Sequence, residues 1–311
     1  MARYAQRLIR EKLEVTSGTA VATAAADAIL ARNVTLYNLE ADYQARDYVT
    51  GTEGAQGDDV NNVRSGADYD VDAAPPTTAG DPPHYAHLLQ SSAMAMADDA
   101  GDTVFTPLAE HLAVPSCTMN LRNGAVMQNI AGVRGAFSFE AEVGRKPFFR
   151  FNRRGLYVAP IAHVQEAHDF TSWPQALTCS PENMFAFTLG GQKLCCTSFR
   201  FSDGRQPQAA TYMNCDDTTL TPRNFTGSMT VKWPAFATKD LLTQIRNGVT
   251  EPLVWTIGLV PAKTIQITAP KVQIKYSGEQ NINGELGIGL DLIFQPTGAG
   301  NDEIEIRFPG A

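Results

Sequence analysis

Three kinds of side chain in this sequence have a spacing that chemistry could use: a histidine pair, adjacent cysteines and paired aspartates. His84 and His87 stand three positions apart, so their rings could share a metal ion, but a tetrahedral site needs further Cys or His ligands and none stands nearby in the sequence. Cys195 and Cys196 are adjacent and lack the CxxC spacing of redox motifs, which favours packing in a strand. The aspartate pairs lie in polar, turn-like stretches, where solvated turns are commoner than cation sites: Asp58-Asp59, Asp98-Asp99 and Asp216-Asp217.

The motifs of the common enzyme classes are absent from the sequence. It contains no P-loop, no dinucleotide fingerprint, no nucleophile elbow and no zinc-peptidase helix. We therefore predict a protein without catalytic activity, bound metal or cofactor.

A cluster of basic residues is the feature that most favours nucleic-acid recognition. It stands among aromatic residues that could stack on bases, and its members are Arg145, Lys146, Arg150, Arg153 and Arg154. The whole chain, however, has a formal net charge of −8, and an acidic protein is a poor candidate for gripping phosphates. Ion pairing within or between subunits is therefore the favoured interpretation, and DNA could pass such a surface without being held.

Composition indicates a folded protein of two domains. The 311 residues exceed the usual size of one domain, and 43% of them are hydrophobic and 19% charged. Five cysteines, an odd number without a framework spacing, favour reduced thiols in a product of the cytoplasm. No apolar run of about 18 residues could span a membrane, and residues 1–10 lack the apolar region of a signal peptide.

Most of the chain has the alternation and turn residues of β-strands. In residues 133–143, Phe137 and Phe139 alternate with polar residues, which predicts a strand with one buried face. The dipeptide Asn123-Gly124 predicts a hairpin, because it favours positive φ. The first 27 residues leave a helix, a strand and an extended arm open.

Helices are predicted at two places only. Residues 83–96 place Tyr85, Leu88, Leu89 and Met96 on one helical face, and residues 238–248 form a short helix with Thr238 as its N-cap. Residues 50–62 and 203–221 are predicted as long polar loops, which in compact domains are usually functional or disordered.

The two halves of the chain repeat one order of elements. Each contains strands, a long loop, a strand, a short helix, a hairpin and a pair of long strands that ends at a proline. Pro160 and Pro296 close the two units, which gives an offset of 136 residues, the size of one domain. We predict a first domain over residues 1–160, a linker over 161–181 and a second domain over 182–311.

Several segments resemble one family in their order along the chain. They are residues 28–33, 81–89, 130–140, 151–160 and 269–273. These segments are similar to the tail tube (major tail) proteins of long-tailed phages, especially the tandem-domain form of Mu-like siphophages. The order of the segments, more than any single motif, carries the resemblance.

The resemblance implies a mainly β fold: two tandem β-sandwich or barrel domains, each with a short flanking helix. It implies a structural protein of the virion tail, made in the host cytoplasm, whose subunits join their long strands into a continuous inner barrel. By analogy with tandem-domain tube proteins, three chains form a ring with pseudo-sixfold symmetry, and the rings stack into a tube for DNA. The implied partners are the tape measure protein in the lumen and the tail terminator and distal tail proteins at the ends.

Within that framework the sequence offers candidate contact residues. Glu140 and Glu142, opposite the phenylalanine face, are expected to face the lumen. The two long loops are expected to reach the next ring, with contacts from Thr50, Glu53, Asp58, Asp59, Asp203, Asp216 and Asp217.

Two alternatives stay open at this point. One is a single-copy tail completion or baseplate-hub ring protein of the same fold. The other is a carbohydrate-binding β-sandwich, whose sugar site would use Trp173, Trp233 or Trp255.

Overall fold

The structure is a computed structural model, and it describes residues 7–110, 112–162, 168–171 and 173–310. Its strands are β1 (Arg7–Leu13), β2 (Ala31–Ala45), β3 (Asp58–Asp72), β4 (Met94–Asp99), β5 (Asp102–Pro107), β6 (Cys117–Asn123), β7 (Val126–Glu142), β8 (Phe148–Leu156), β9 (Ile161–Ala162), β10 (Met184–Leu189), β11 (Gln192–Lys193), β12 (Cys196–Ser202), β13 (Pro207–Thr211), β14 (Asp216–Leu220), β15 (Thr226–Lys232), β16 (Thr250–Ile257), β17 (Ile265–Ile282), β18 (Glu285–Phe294) and β19 (Glu305–Phe308). The α-helices are α1 (Ala86–Gln90) and α2 (Leu241–Arg246), and single 3-10 turns occur at Ala25–Asp27 and Pro261–Lys263. The mainly β class predicted from the sequence is confirmed.

Eight antiparallel strands form one continuous sheet, which is built from two copies of a four-strand motif. In the first half the strands lie in the order β2-β3-β8-β7. In the second half they lie in the order β12-β15-β18-β17. Both motifs place their strands in the chain order first, second, fourth, third, and pairing between β7 and β12 joins them.

Each motif has one strand that is long enough to belong to two layers. The first part of β7 pairs with β6, which in turn pairs with β1, and its second part pairs with β8. Near the end of the first part, at an irregularity in the β6 pairing, Gly132 has a φ of 65°, a conformation that suits glycine where the strand bends. In the second half, the first part of β17 pairs with β16, which pairs with β10, and its later part pairs with β18.

A single hydrophobic core lies between these layers. Along β7, Phe137 and Phe139 point into it, and Phe149 and Phe151 of β8 do the same. Rings from both halves meet there: the centroids of Phe139 and Phe201 are 5.4 Å apart and stacked. The last strand, β19, pairs with both β17 and β5, so the end of the chain also connects the two halves.

The helix predicted over residues 83–96 is mostly wrong. Only Ala86–Gln90 is helical, because Ser91 donates its hydroxyl to the His87 carbonyl and Ala93 adopts a φ of 61°. Met96 lies instead in β4 and is 41% exposed.

The second helix is present but shorter than predicted, as Leu241–Arg246. Its N-cap is Asp240 rather than Thr238, because the Asp240 carboxylate accepts a hydrogen bond from the Thr243 amide at 3.0 Å. Gly248 follows the helix with a φ of 62°, as its sequence predicts.

The two predicted long loops contain strands. Residues 203–221 hold the β13–β14 hairpin, and β3 begins at Asp58 instead of after residue 62. Polar strands of this kind lack the apolar alternation that identifies half-buried strands in a sequence. The Asn123-Gly124 hairpin is confirmed, with Asn123 opposite Val126.

The N-terminal segment and the predicted linker are described in part. Of the three conformations left open for the first 27 residues, a strand is found over Arg7–Leu13, and a 3-10 turn follows at Ala25–Asp27. Residues 1–6 of that segment and residues 163–167 and 172 of the linker lie outside the described residues.

Candidate assembly surfaces

The face of the eight-stranded sheet that points away from the core is polar. Glu140 lies on this face, opposite Arg200 of β12, and its carboxylate is 3.8 Å from the Arg150 guanidinium. Glu142 lies at the end of β7, 2.9 Å from Arg145. Both glutamate side chains are about half exposed, at 40% and 54%. Their basic partners balance the charge of the two glutamates locally.

Ion pairs across the strands organise the basic cluster. Arg150 contacts Asp70 at 2.8 Å, and hydrogen bonding to that carboxylate raises the pKa of Arg150. Arg154 bridges Glu40 and Asp68, at 2.5 and 2.8 Å. These arginines are held by carboxylates of their own chain, so they form a paired surface instead of a basic groove.

The pairing of β7 with β12 forms a seam within the chain. Its five residue pairs run from Glu142 opposite Ser198 to Ser138 opposite Ser202. The seam continues at Asp203, whose amide donates to the Phe137 carbonyl at 3.2 Å. Asp203 itself is buried, and burial raises its pKa to about 7. It therefore lies at the joint between the halves.

The two outer strands of the eight-stranded sheet have unpaired edges. Among the described residues, β2 pairs only with β3, and β17 beyond Gln273 pairs only with β18. Long unpaired edges expose rows of amide and carbonyl groups that can pair with another chain. The eight-stranded sheet is thus open at both ends among the described residues.

The hairpin of β2 and β3 extends past the sheet as an arm, here defined as residues 39–62. Thr50 and Glu53 lie in its exposed tip, whereas Asp58 and Asp59 begin β3. Tyr43 lies opposite Val60, and these apolar side chains are 62% and 52% exposed. A two-stranded ribbon with apolar residues in solvent is marginally stable alone, which indicates that the arm is covered in an assembly.

The β13–β14 hairpin is fastened to the first half of its own chain. Asp216 accepts two hydrogen bonds from Arg64, and Asp217 accepts one from Arg134 at 2.7 Å. Both arginine side chains are almost fully buried, at 7% and 9% exposure. No local pattern in the sequence indicates these partners, since they lie more than 80 residues from the aspartates they bind.

The remaining candidates for chemistry have structural surroundings. His87 is partly exposed by its accessible surface, and desolvation together with Arg153 lowers its pKa to about 3, while His84 stacks on Trp173 at 5.5 Å. Over the described ranges, no three Cys, His, Asp or Glu side chains are grouped to hold a metal ion. All five cysteines are free thiols. Trp255 is only 2% exposed. No helix in the described part of the chain is long and apolar enough to cross a membrane.

Comparison with known families identifies the family of the chain. The family model for the phage tail tube protein matches residues 5–311, nearly the whole chain. No curated protein matches the sequence. A sheet with two open edges, one polar face and a projecting arm is what a self-assembling tube subunit needs. The chain therefore belongs to the phage tail tube protein family, whose members are structural components of the virion tail rather than enzymes.

Proposed function

We propose that three copies of this chain form a closed ring with pseudo-sixfold symmetry, and that stacked rings form the tail tube through which DNA passes. The observation that carries this proposal is the repetition of one four-strand motif within a single open sheet. Each chain supplies eight strands, so three chains supply 24. Six equivalent motifs then surround one channel.

The size of such a barrel suits a DNA duplex. Strands about 4.8 Å apart and tilted by about 40° give a circumference of about 150 Å for 24 strands, and so a backbone diameter of about 48 Å. Side chains reaching inward by about 6 Å on each side leave a channel of about 36 Å. Two chains, with 16 strands, would leave only about 20 Å by the same geometry.

The polar face of the sheet forms the lumen wall in this proposal, with Glu140 and Glu142 facing the channel. The opposite face carries the buried phenylalanines and packs against the second layer, so it is not available. Paired charges of both signs on the lumen face give DNA no continuous basic track to bind. The tape measure protein occupies this channel before DNA does, and the tail terminator and distal tail proteins meet the terminal rings.

Contacts between rings are assigned to the arm. Its tip carries Thr50 and Glu53, which are exposed, and Tyr48 and Val49 beside them are 66% and 103% exposed. Asp58 and Asp59 stiffen the base of the tip, where Asp59 pairs with Arg46 at 2.5 Å. In the second acidic set, Asp216 and Asp217 hold the β13–β14 hairpin on Arg64 and Arg134, whereas Asp203 is buried at the seam and is not offered as a ring contact.

Electron microscopy of the purified protein at rising concentration tests the proposal. We expect rings and then hollow tubes, and class averages with six lobes but threefold symmetry. Native mass spectrometry of single rings should give three times the chain mass of 33.7 kDa. A chain that stays monomeric at all concentrations, or rings of six chains, would contradict the proposal.

Shortening the arm separates ring formation from stacking. Replacing residues 48–56 by a two-residue turn leaves the eight-stranded sheet intact, so rings should still form while tubes should not. Asn283 and Gly284 form the short turn between β17 and β18 and offer the matched control: exchanging them for another tight-turn pair should leave stacking unchanged. Normal tubes from the shortened variant would remove the arm from the ring-to-ring contact.

A further inference from the structure

We infer that the seam within the chain is the template of the contact between chains: the open edge of β17 in one subunit pairs antiparallel with the open edge of β2 in the next, with Gln280 opposite Thr35. This inference rests on the proposed ring. It assigns the joining strands, their direction and their register.

Residue equivalence between the two motifs follows from the core. When the strand orders are superposed, residues of β2, β3 and β8 that are buried in the core or packed against it fall on buried residues of β12, β15 and β18. The equivalent pairs are Phe149 with Ile288, Phe151 with Leu290, Tyr69 with Met229, Val71 with Val231, Val34 with Phe199 and Leu36 with Phe201. A register slip of one residue would place every one of these side chains on the wrong face.

The equivalence also shows which edges of β17 and β2 lack the partner strand that their counterparts β7 and β12 have. Beyond β6, the free side of β7 is occupied by β12, from Ser138 to Glu142. Beyond β16, the corresponding side of β17 is the open edge. In the same way β12 lies between β15 and β7, whereas its counterpart β2 has only β3 beside it among the described residues. The open edge of β17 therefore corresponds to the edge of β7 that pairs in the seam, and the open edge of β2 corresponds to the edge of β12 that pairs there.

The register follows from one cross-strand pair. Glu140 lies opposite Arg200 in the seam and opposite Phe148 on its other side. Phe148 corresponds to Gly287, which lies opposite Gln280, so Gln280 is the counterpart of Glu140. On the other strand, Val34 and Leu36 correspond to Phe199 and Phe201, as given above. Thr35, which lies between the first two, is therefore the counterpart of Arg200, which lies between the second two.

The side chains at these positions suit such a joint. Thr35 and Gln280 are exposed on the polar face, where both can stay hydrated. One step along β2, Val34 and Leu36 are partly buried and already touch the core, and the register places Asn281 and Glu279 opposite them. The joint thus continues the polar face of the sheet toward the channel, and on the other face it brings apolar side chains of β2 against polar side chains of β17.

Cysteine cross-linking tests the inference. In a background with the exposed Cys195 and Cys215 changed to Ser, we would introduce Thr35→Cys with Gln280→Cys and treat assembled rings with a short bismaleimide. Directly opposite residues on antiparallel strands have Cβ atoms about 5 Å apart, so the pair should link efficiently. Denaturing gels should show dimers and trimers but nothing larger, because a ring of three closes.

Three control variants define the meaning of the result. Each single cysteine should leave monomers. Gln44→Cys with Gln280→Cys moves the partner by nine residues, about 30 Å along the strand, and should not link. Glu140→Cys with Arg200→Cys samples the seam itself and should link within one chain.

The outcomes separate this inference from the proposed function. If the T35C/Q280C variant forms rings or tubes by microscopy but its chains do not link, the joint is overturned while the tube function stands. Links that continue to six chains would keep the joint and overturn the three-chain ring. An absence of any ring would overturn both.

Discussion

The buried ion pair between Glu11 and Arg153 offers the sharpest test of how the first half of the protein is held together. The two side chains are fully buried, and one Arg153 nitrogen lies 2.8 Å from the Glu11 carboxylate. Tyr69 donates its hydroxyl to the same carboxylate, and Ser91 lies 2.7 Å from Arg153. The cluster fastens β1 to β3, β8 and the end of α1.

Removal of one partner should cost far more than removal of both. Arg153→Met leaves the Glu11 carboxylate buried without its cation, and losses for such half-broken pairs are about 3–5 kcal/mol in the free energy of unfolding. Glu11→Leu combined with Arg153→Met removes both charges, so it should recover most of that loss. The exposed pair of Arg145 with Glu142 supplies the control, because Arg145→Ala should cost at most about 1 kcal/mol.

Urea denaturation followed by far-UV circular dichroism measures these differences. Assembly stabilises the folded chain by mass action, so each variant must be compared at two protein concentrations at which it remains monomeric. A loss for Arg153→Met no larger than that for Arg145→Ala would refute the reasoning. So would a double variant that is as unstable as Arg153→Met alone.

Three further changes have defined outcomes. Asp203→Asn should stabilise the protein at pH 8. The pKa of Asp203 is about 7 in the folded state and 3.8 in the unfolded state, so the free energy of unfolding falls as pH rises between these values, by at most about 4 kcal/mol. The asparagine variant cannot ionise and should avoid that loss. Urea titrations at pH 4 and pH 8 check this, and an equal effect at both would contradict it. Asp240→Ala should lower stability by about 1 kcal/mol, because the Thr243 amide loses its cap, and an unchanged denaturation midpoint would argue against that role. Arg64→Ala should free the β13–β14 hairpin, since it removes both hydrogen bonds to Asp216, and hydrogen exchange should rise in residues 207–220 while that of β16 stays constant.

The sequence determined the class of fold and most of the strands. Alternation along β7 and β8 comes from phenylalanines that must be buried on one face, and that constraint is local enough to appear in any short stretch of sequence. Turn residues such as Gly124 and Gly248 marked hairpins and helix ends for the same reason.

Elements without a local apolar pattern were decided by contacts between distant residues. The β13–β14 hairpin is polar, and it is held by Arg64 and Arg134 from the other half of the chain. The helix after Pro83 stops at Gln90 because Met94 begins a strand that pairs with β5, although the sequence favours a longer helix. Such choices depend on which backbone groups find partners in three dimensions.

Some features of the candidate assembly surface also follow from the sequence, whereas others depend on the tertiary structure. That Glu140 lies on the face opposite Phe139 follows from the period of two in a strand, so the sequence alone determined it. Which strands lie side by side, and therefore which edges stay open, was decided only by the tertiary structure. Hydrogen-bond pairing between β7 and β12 joins residues about 60 positions apart, and a sequence contains no local record of a partner at that distance.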